Sequence, residues 1–213
     1  MPTRPTQVKP QVVISERIRE TPPGDTLPAD RSAPPPAPAY APPMPAAPDS
    51  LQIVHYPDPV LRQVAKPVPE VNDEVRAVAS RMIVLMHQAP GVGLAAPQVG
   101  LPWRMFVANP TGEEGDDRVY INPEITATAG GNAARDEGCL SLPEISVEVI
   151  RPAQATIRAT GLDGKPFEDT ADELLARIWQ HEYDHLDGVL IIDKMTPIDR
   201  MANKRALRSL EGA

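Results

Sequence analysis

The 213-residue sequence has few of the features that mark secreted, membrane-spanning or nucleic-acid-binding proteins. A single cysteine cannot form an internal disulfide, which predicts a reduced, cytoplasmic protein. No run approaches the roughly 18 uncharged apolar residues that a membrane helix needs, so we expect no membrane association. The formal net charge of -8 has the wrong sign for an extended polyanion-binding surface, and we expect no DNA partner.

Proline is abundant, but it is concentrated in one part of the chain. Residues 1–50 hold 14 of the 27 prolines, and the run from Ser32 to Pro48 is almost entirely proline and alanine. Because proline lacks a backbone N–H and has a fixed φ, such a segment cannot build a core. We therefore predict a proline/alanine-rich disordered extension over residues 1–50. Residues 51–213 have the length of one folded domain, which we expect to be the catalytic domain.

The apolar pattern of residues 51–213 predicts two main helices. Apolar residues recur at helical spacing over about 72–89. A second helix is predicted from Thr170, in a capping box with Glu173, to about Leu186. Residues 197–210 form an amphipathic, locally basic segment that also looks helical.

Short runs typical of strands lie between and around these helices, at 51–56, 104–108, 119–122, 145–150, 155–160 and 166–170. The last two flank an Asp163-Gly164 pair, which is typical of a type I′ hairpin turn. The order of elements predicts an α+β fold with a mainly antiparallel sheet around the second helix.

Two histidines on the second predicted helix give the first indication of chemistry. In the run His-Glu-Tyr-Asp-His, His181 and His185 are four residues apart, so they project from one face and can share a metal ion. Leu174 and Ile178 continue the same stripe, which turns the imidazoles toward the core. An unpaired polar pair would be costly to bury there, and a metal would remove that cost.

Two histidines do not complete a hydrolytic metal site, which usually has three protein ligands and an open position. No histidine follows His185, and the only glutamate after it, Glu211, is a poor candidate. Cys139 is the upstream alternative: a lone cysteine is more often an inert buried thiol, but an incomplete histidine pair favours it as a ligand. A zinc peptidase with a different third ligand stays open, and in that case Cys139→Ala would leave activity intact.

Three motifs resemble, in order and in rough spacing, those of peptide deformylases. They are Gly91-Val-Gly-Leu-Ala-Ala-Pro-Gln98, Glu137-Gly-Cys-Leu-Ser141 and Gln180-His-Glu-Tyr-Asp-His185. The resemblance extends from about Leu51 to about Pro197, and no motif position departs from the family pattern. It does not cover the proline-rich segment.

The resemblance implies a metal-dependent hydrolase that removes the formyl group from the N-terminal formylmethionine of nascent polypeptides and releases formate. The implied ligands of one divalent metal are Cys139, His181 and His185. Fe2+ is the expected metal, with Zn2+, Ni2+ or Co2+ as substitutes. Glu182 would activate the metal-bound water and pass its proton to the leaving amine. Gln98 and the backbone N–H of Leu140 would stabilise charge on the formyl oxygen.

The resemblance also implies that an extended peptide contacts the glycine-rich loop and the cysteine motif. Glycines at 91 and 93 would allow close approach of backbone to substrate, and an apolar pocket would take methionine. The predicted substrate-binding residues are Gly91, Val92, Gly93, Leu94, Glu137, Gly138 and Ile178.

Two expectations concern partners. The basic residues of 197–210 are interpreted first as a solvated helix face, and contact with the ribosome near the exit tunnel is the alternative hypothesis. They are Arg200, Lys204, Arg205 and Arg208. A function of another class also stays open, a proline-rich adaptor that binds formylated peptides without hydrolysis. For the enzyme, a bacterial cytoplasm is expected rather than an organelle.

Overall fold

The computed structural model describes residues 47–212, so the extension predicted for residues 1–50 lies almost wholly outside the described residues. The helices are α1 (Asp73–Gln88), α2 (Glu173–Leu186), α3 (Pro197–Ala202) and α4 (Lys204–Leu210). The strands are β1 (Gly93–Ala95), β2 (Met105–Ala108), β3 (Arg118–Cys139), β4 (Leu142–Thr160) and β5 (Pro166–Asp172). Within 47–212, no helix is both long and apolar enough to cross a membrane.

The strands form one antiparallel sheet in the order β1-β2-β3-β4-β5, which confirms the predicted α+β class. The long strands β3 and β4 pair over most of their length, and a tight turn joins Cys139 to Leu142. Within residues 47–212, β2 pairs with β3 only along Arg118–Ile121, so the later part of β3 has β4 as its one neighbour in the sheet. The predicted hairpin between β4 and β5 is confirmed.

Three apolar clusters form the core between the sheet and the helices. α1 buries Met82 and Met86 against β1 and β2, and α2 buries Trp179 beside Tyr120 of β3. A third cluster packs Cys139 among aliphatic side chains that include Leu142. Each fully buried large apolar side chain contributes about 1.5–3 kcal/mol relative to exposure, so the cysteine turn lies in a stable setting.

The strand predicted over residues 51–56 is wrong. The segment is irregular, and its backbone forms hydrogen bonds with two separate loops. The N–H of Val54 donates to the Gln98 carbonyl and the N–H of Tyr56 donates to the Ser141 carbonyl, both at 2.9 Å. A run of apolar residues indicates burial, but it cannot show that the backbone partners belong to one strand.

Two helix boundaries and one turn also differ from prediction. Thr170 does not cap α2, because it lies in β5 and its hydroxyl meets that of Thr156 in β4 at 2.9 Å. Residues 197–210 form two short helices that break at Asn203, whose side-chain amide donates to the Ser146 carbonyl at 2.9 Å. In the β4–β5 turn only Gly164 has a positive φ, so the turn is not type I′.

Candidate metal centre and active site

The three predicted ligands lie together although the chain separates them. The Cys139 sulfur and one ring nitrogen each of His181 and His185 all lie within 4.8 Å of one another, and all three residues are buried. The sulfur is 3.3 Å from Nε2 of His185. The last residue of β3 supplies the thiol, while the i, i+4 spacing on α2 supplies both imidazoles.

A buried carboxylate fixes the orientation of His181. Nδ1 of His181 lies 2.9 Å from the Glu137 carboxylate, which leaves Nε2 free to face the cysteine. The same carboxylate accepts hydrogen bonds from Nε and Nη2 of Arg151, at 2.6 and 2.8 Å, and one from Arg177 at 2.7 Å. Arg151 also donates to Asp184, which contacts Lys194 at the surface. A chain of ion pairs therefore joins the histidine to the exterior.

The charges around this network determine the protonation states of its members. Burial alone would raise the pKa of Glu137, but hydrogen bonds from Arg151 and His181 outweigh it and lower that pKa well below the ordinary value. Burial lowers the pKa of His185 well below its ordinary value, and the neighbouring His181 adds to the effect. The lowered pKa of His185 favours the neutral imidazole, which is the form that binds metals.

Glu182 lies between the two histidines on α2 and is buried. Burial raises its pKa to about 7, against the opposing effect of His181. Its Oε2 atom has no hydrogen-bond partner in the described part of the chain. Gly93 of β1 contacts this carboxylate so closely that a Cβ at residue 93 would overlap Oε1 of Glu182. The glycine-rich loop and the carboxylate therefore occupy one small space.

Gln98 lies beside the cysteine and is held at both ends of its amide. Its Oε1 accepts from the backbone N–H of Ala95 at 2.8 Å. Its Nε2 is 3.5 Å from the Cys139 sulfur and donates to the Ser141 hydroxyl at 3.3 Å. The amide N–H groups therefore point at the group of metal donors.

The remaining predicted site residues are not all brought together. Gly91 approaches Leu140, since a Cβ at residue 91 would lie 2.7 Å from that side chain. Val92 and Ile178 belong to the same apolar cluster under α2. Leu94 does not join them, because its fully buried side chain packs in the α1 cluster. Gly138 lies in β3 between the cysteine and Glu137, whose two carboxylate oxygens are both occupied by protein groups rather than presented to a cleft.

Sequence reasoning missed the residues that support the ligands. Arg177 lies four residues before His181 on α2, and that spacing could have placed the two side chains on one face. No sequence spacing indicated Arg151, because its contact with Glu137 depends on the register in which β3 pairs with β4. Ser141 is the last residue of the cysteine motif, but only the fold shows that its hydroxyl accepts a hydrogen bond from Gln98.

The donor set fits one divalent cation. A thiolate and two imidazoles bind one ion with bonds of about 2.0–2.3 Å, so donors that already lie within 4.8 Å of one another need to move only slightly to share it. The Nδ1 hydrogen bond of His181 to a carboxylate is the arrangement that orients metal-binding imidazoles. A soft sulfur combined with two nitrogens suits several first-row transition metals.

An α+β fold with one thiol, two imidazoles and a buried carboxylate at a single point defines the chain as a metallohydrolase-like protein. A sequence model of the polypeptide deformylase family matches residues 50–201, and the chain belongs to that family. A peptide deformylase of Acidobacterium capsulatum is 47% identical over 163 residues, which are 76% of this chain and 95% of the relative. One from Rhodopirellula baltica is 43% identical over 164 residues, 76% of this chain and 78% of the relative.

Solved structures of peptide deformylases are similar to this chain in both fold and sequence. The crystal structure of a plant peptide deformylase matches with a TM-score of 0.73 and 41% identity, over 76% of this chain and 90% of that one. The crystal structure of a peptide deformylase from Legionella pneumophila matches with a TM-score of 0.72 and 38% identity, over 76% and 95% of the two chains. The chain is therefore a metal-dependent hydrolase that removes the formyl group from nascent polypeptides.

Proposed function

We propose that deformylation takes place at the three-donor site, with Cys139, His181 and His185 as the metal ligands. The observation that carries the proposal is the convergence of these donors within 4.8 Å, beside the buried carboxylate of Glu182. Fe2+ is the proposed metal, and Zn2+, Ni2+ or Co2+ would also fit a sulfur and two nitrogens. When bound, such an ion lowers the pKa of water and polarises a carbonyl group.

Glu182 is proposed to move the proton that the reaction requires. Water adds to the formyl carbon, the C–N bond of the formamide breaks, and the products are formate and a free amine. Glu182 takes a proton from the attacking water and gives it to the nitrogen that leaves. Its buried carboxylate, with a pKa of about 7, is suited to exchanging protons at neutral pH.

Gln98 and Leu140 are proposed to stabilise the charge that develops on the formyl oxygen. The side-chain amide of Gln98 is aimed at the metal donors by its hydrogen bonds to Ala95 and Ser141. The backbone N–H of Leu140 follows the cysteine directly in the turn after β3. Fixed neutral donors at such a point typically lower a barrier by about 2.7–4 kcal/mol each.

The substrate peptide is proposed to lie along the glycine-rich loop. Gly91 and Val92 directly precede the edge strand β1, and Gly93 is its first residue. The outer edge of β1 can pair with an extended chain. Val92 and Ile178 share an apolar cluster and are proposed to contact the methionine side chain, and Gly138 offers backbone from β3. For Glu137 we propose an indirect role, the orientation of His181.

One assay tests the proposed site. Anaerobically prepared protein loaded with Fe2+ should release formate from a formyl-methionyl peptide, and Glu182→Ala should abolish release while keeping the metal. Cys139→Ala should lose both metal and activity. Full activity in the Cys139 variant would instead support a site with another third ligand, and binding without release by the loaded protein would support the adaptor.

We further propose a cytoplasmic protein that meets its substrates at the ribosome through the basic face of α3 and α4. The support is a groove of about 470 Å³ between these helices, lined in part by Arg200, Lys204 and Arg208. Co-sedimentation with ribosomes should fall when these three residues are changed to Gln together. Equal co-sedimentation of the two proteins would contradict the contact.

A further inference from the structure

The side chains of β3 form a row that leads from the metal donors along one face of the sheet. Cys139, Glu137 and Arg135 are each two residues apart, and alternate side chains of a strand point to the same face. Asp136, between them, is exposed, whereas Glu137 is buried. The partner of Arg135 across the ladder, Val149, is only 2% exposed. Arg135 therefore belongs to the row that faces the site.

Arg135 is the cation in this row that lacks an anion. It is half-buried, and no hydrogen bond or ion pair joins its side chain to any other residue of 47–212. Glu137 is already held by Arg151 and Arg177, and Arg151 also has Asp184. Arg177 donates to the carbonyl of Ala133, two residues before Arg135 on β3, at 2.7 Å. Burial lowers the pKa of Arg177, and the charge of Arg135 adds to this effect against that of Glu137.

The edge of β3 next to Arg135 is available to a peptide. β2 pairs with β3 only along Arg118–Ile121, so β4 is the one strand that pairs with Glu124–Gly138 within the described residues. An extended chain can add to such an edge. Each residue of a strand advances about 3.3 Å, so the backbone of Arg135 lies about 13 Å from Cys139 along the edge. The long arginine side chain can shorten that distance to the length of two or three substrate residues.

We propose that Arg135 is a specificity-determining residue, which favours formylated peptides with an acidic side chain at the second or third position. The inference rests on the deformylase reaction and concerns which nascent chains this site prefers. A half-buried guanidinium without a partner gains more from a carboxylate than an exposed, already paired one does. A lysine at the same substrate position meets the charges of Arg135 and Arg177 and is disfavoured.

The test compares peptides that differ in one side chain. Formyl-methionyl tripeptide amides with Glu, Gln or Lys at the second or the third position are hydrolysed by the metal-loaded, full-length protein. The proposal predicts that kcat/KM for the Glu peptide exceeds that for the Lys peptide by about fivefold at low salt, mainly through KM. The ratio should decrease as ionic strength rises, because exposed charges are screened.

Variants assign the preference to one residue. Arg135→Gln should bring the Glu-to-Lys ratio close to one, Arg135→Glu should invert it, and Arg135→Lys should keep most of it. Arg158→Gln is the matched control, because Arg158 also lies in the sheet but is 59% exposed and pairs with Glu168. A ratio near one in the unmodified protein, or a ratio that Arg135→Gln leaves unchanged, would overturn the proposal. Hydrolysis of the Gln peptide reports on the reaction itself, so the two failures are distinguishable.

Discussion

At the scale of single residues, the site depends on which atom of each side chain is already occupied. His181 gives Nδ1 to Glu137 and keeps Nε2 for a cation, while His185 directs Nε2 toward the cysteine sulfur. The i, i+4 histidine spacing was visible in the sequence, because a helix fixes that geometry locally. The Glu137 contact was not visible, because it depends on a partner 44 residues away. Local periodicity predicts ligands better than it predicts the groups that orient them.

A substitution at Glu182 should separate chemistry from metal binding. Glu182→Gln keeps the size of the side chain but cannot accept the proton, so we expect kcat to fall by about 10²–10⁴-fold. Metal content should be unchanged, because the three donors remain. Steady-state kinetics and metal analysis of the same sample check this. A kcat within tenfold of the unmodified protein would exclude the proton-transfer role.

Glu137→Gln should weaken both the fold and the metal site. The change leaves Arg151 and Arg177 buried beside a neutral amide, which typically costs about 3–5 kcal/mol of unfolding free energy. Loss of the carboxylate partner of His181 should lower metal affinity by about 10–100-fold. Chemical denaturation and metal competition measure the two effects. Asp136→Asn is the control, because that neighbour is exposed, and equal losses in both variants would contradict the account.

The Glu137 ion pairs also give a pH dependence with a defined sign. The pKa of Glu137 is lower in the folded than in the unfolded chain, so the pairs stabilise the fold above the ordinary pKa of 4.5. This contribution is lost as the pH falls below that value toward the folded pKa. With a chelator present in all samples, the unfolding free energy of the unmodified protein should decrease more steeply below pH 4.5 than that of Glu137→Gln. Parallel curves would contradict the assignment.

At the scale of elements, the site is made where three separate segments meet. α1 and α2 were predictable from apolar spacing and hairpin β4–β5 from its turn residues, since these patterns are local. The long strands β3 and β4 were predicted only in pieces, because bulges and a stretch rich in alanine, threonine and glycine interrupt the alternation. The segment 51–56 was predicted as a strand because it is a short apolar run, but its backbone hydrogen bonds go to the loops of Gln98 and Ser141.

Gly93 should be essential to the meeting of β1 and α2. A Cβ at this position overlaps the Glu182 carboxylate, so Gly93→Ala must push that side chain or the strand aside. Displacement of a catalytic group by about 1 Å costs about 10²-fold in rate. We expect kcat to fall by this order while metal content is retained. An active Gly93→Ala enzyme would show that Glu182 has room which the structure does not give it.

At the scale of the whole molecule, the fold and the class of reaction followed from motif order, whereas the substrate preference did not. Three motifs separated along the chain come together because β3 ends where α2 packs. The substrate preference that we assign to Arg135 depends on which cations already have partners, and a sequence does not show pairing. The extension of residues 1–50 stays a prediction.

The central claim is that one sulfur and two imidazoles bind a single ion. X-ray absorption spectroscopy of the anaerobically loaded protein measures this directly, with metal stoichiometry determined on the same sample. We expect one metal per chain, with one sulfur neighbour at about 2.3 Å and nitrogen neighbours at about 2.0–2.1 Å, and loss of the sulfur signal in Cys139→Ser. A fully loaded, active protein whose metal has no sulfur neighbour would contradict the account.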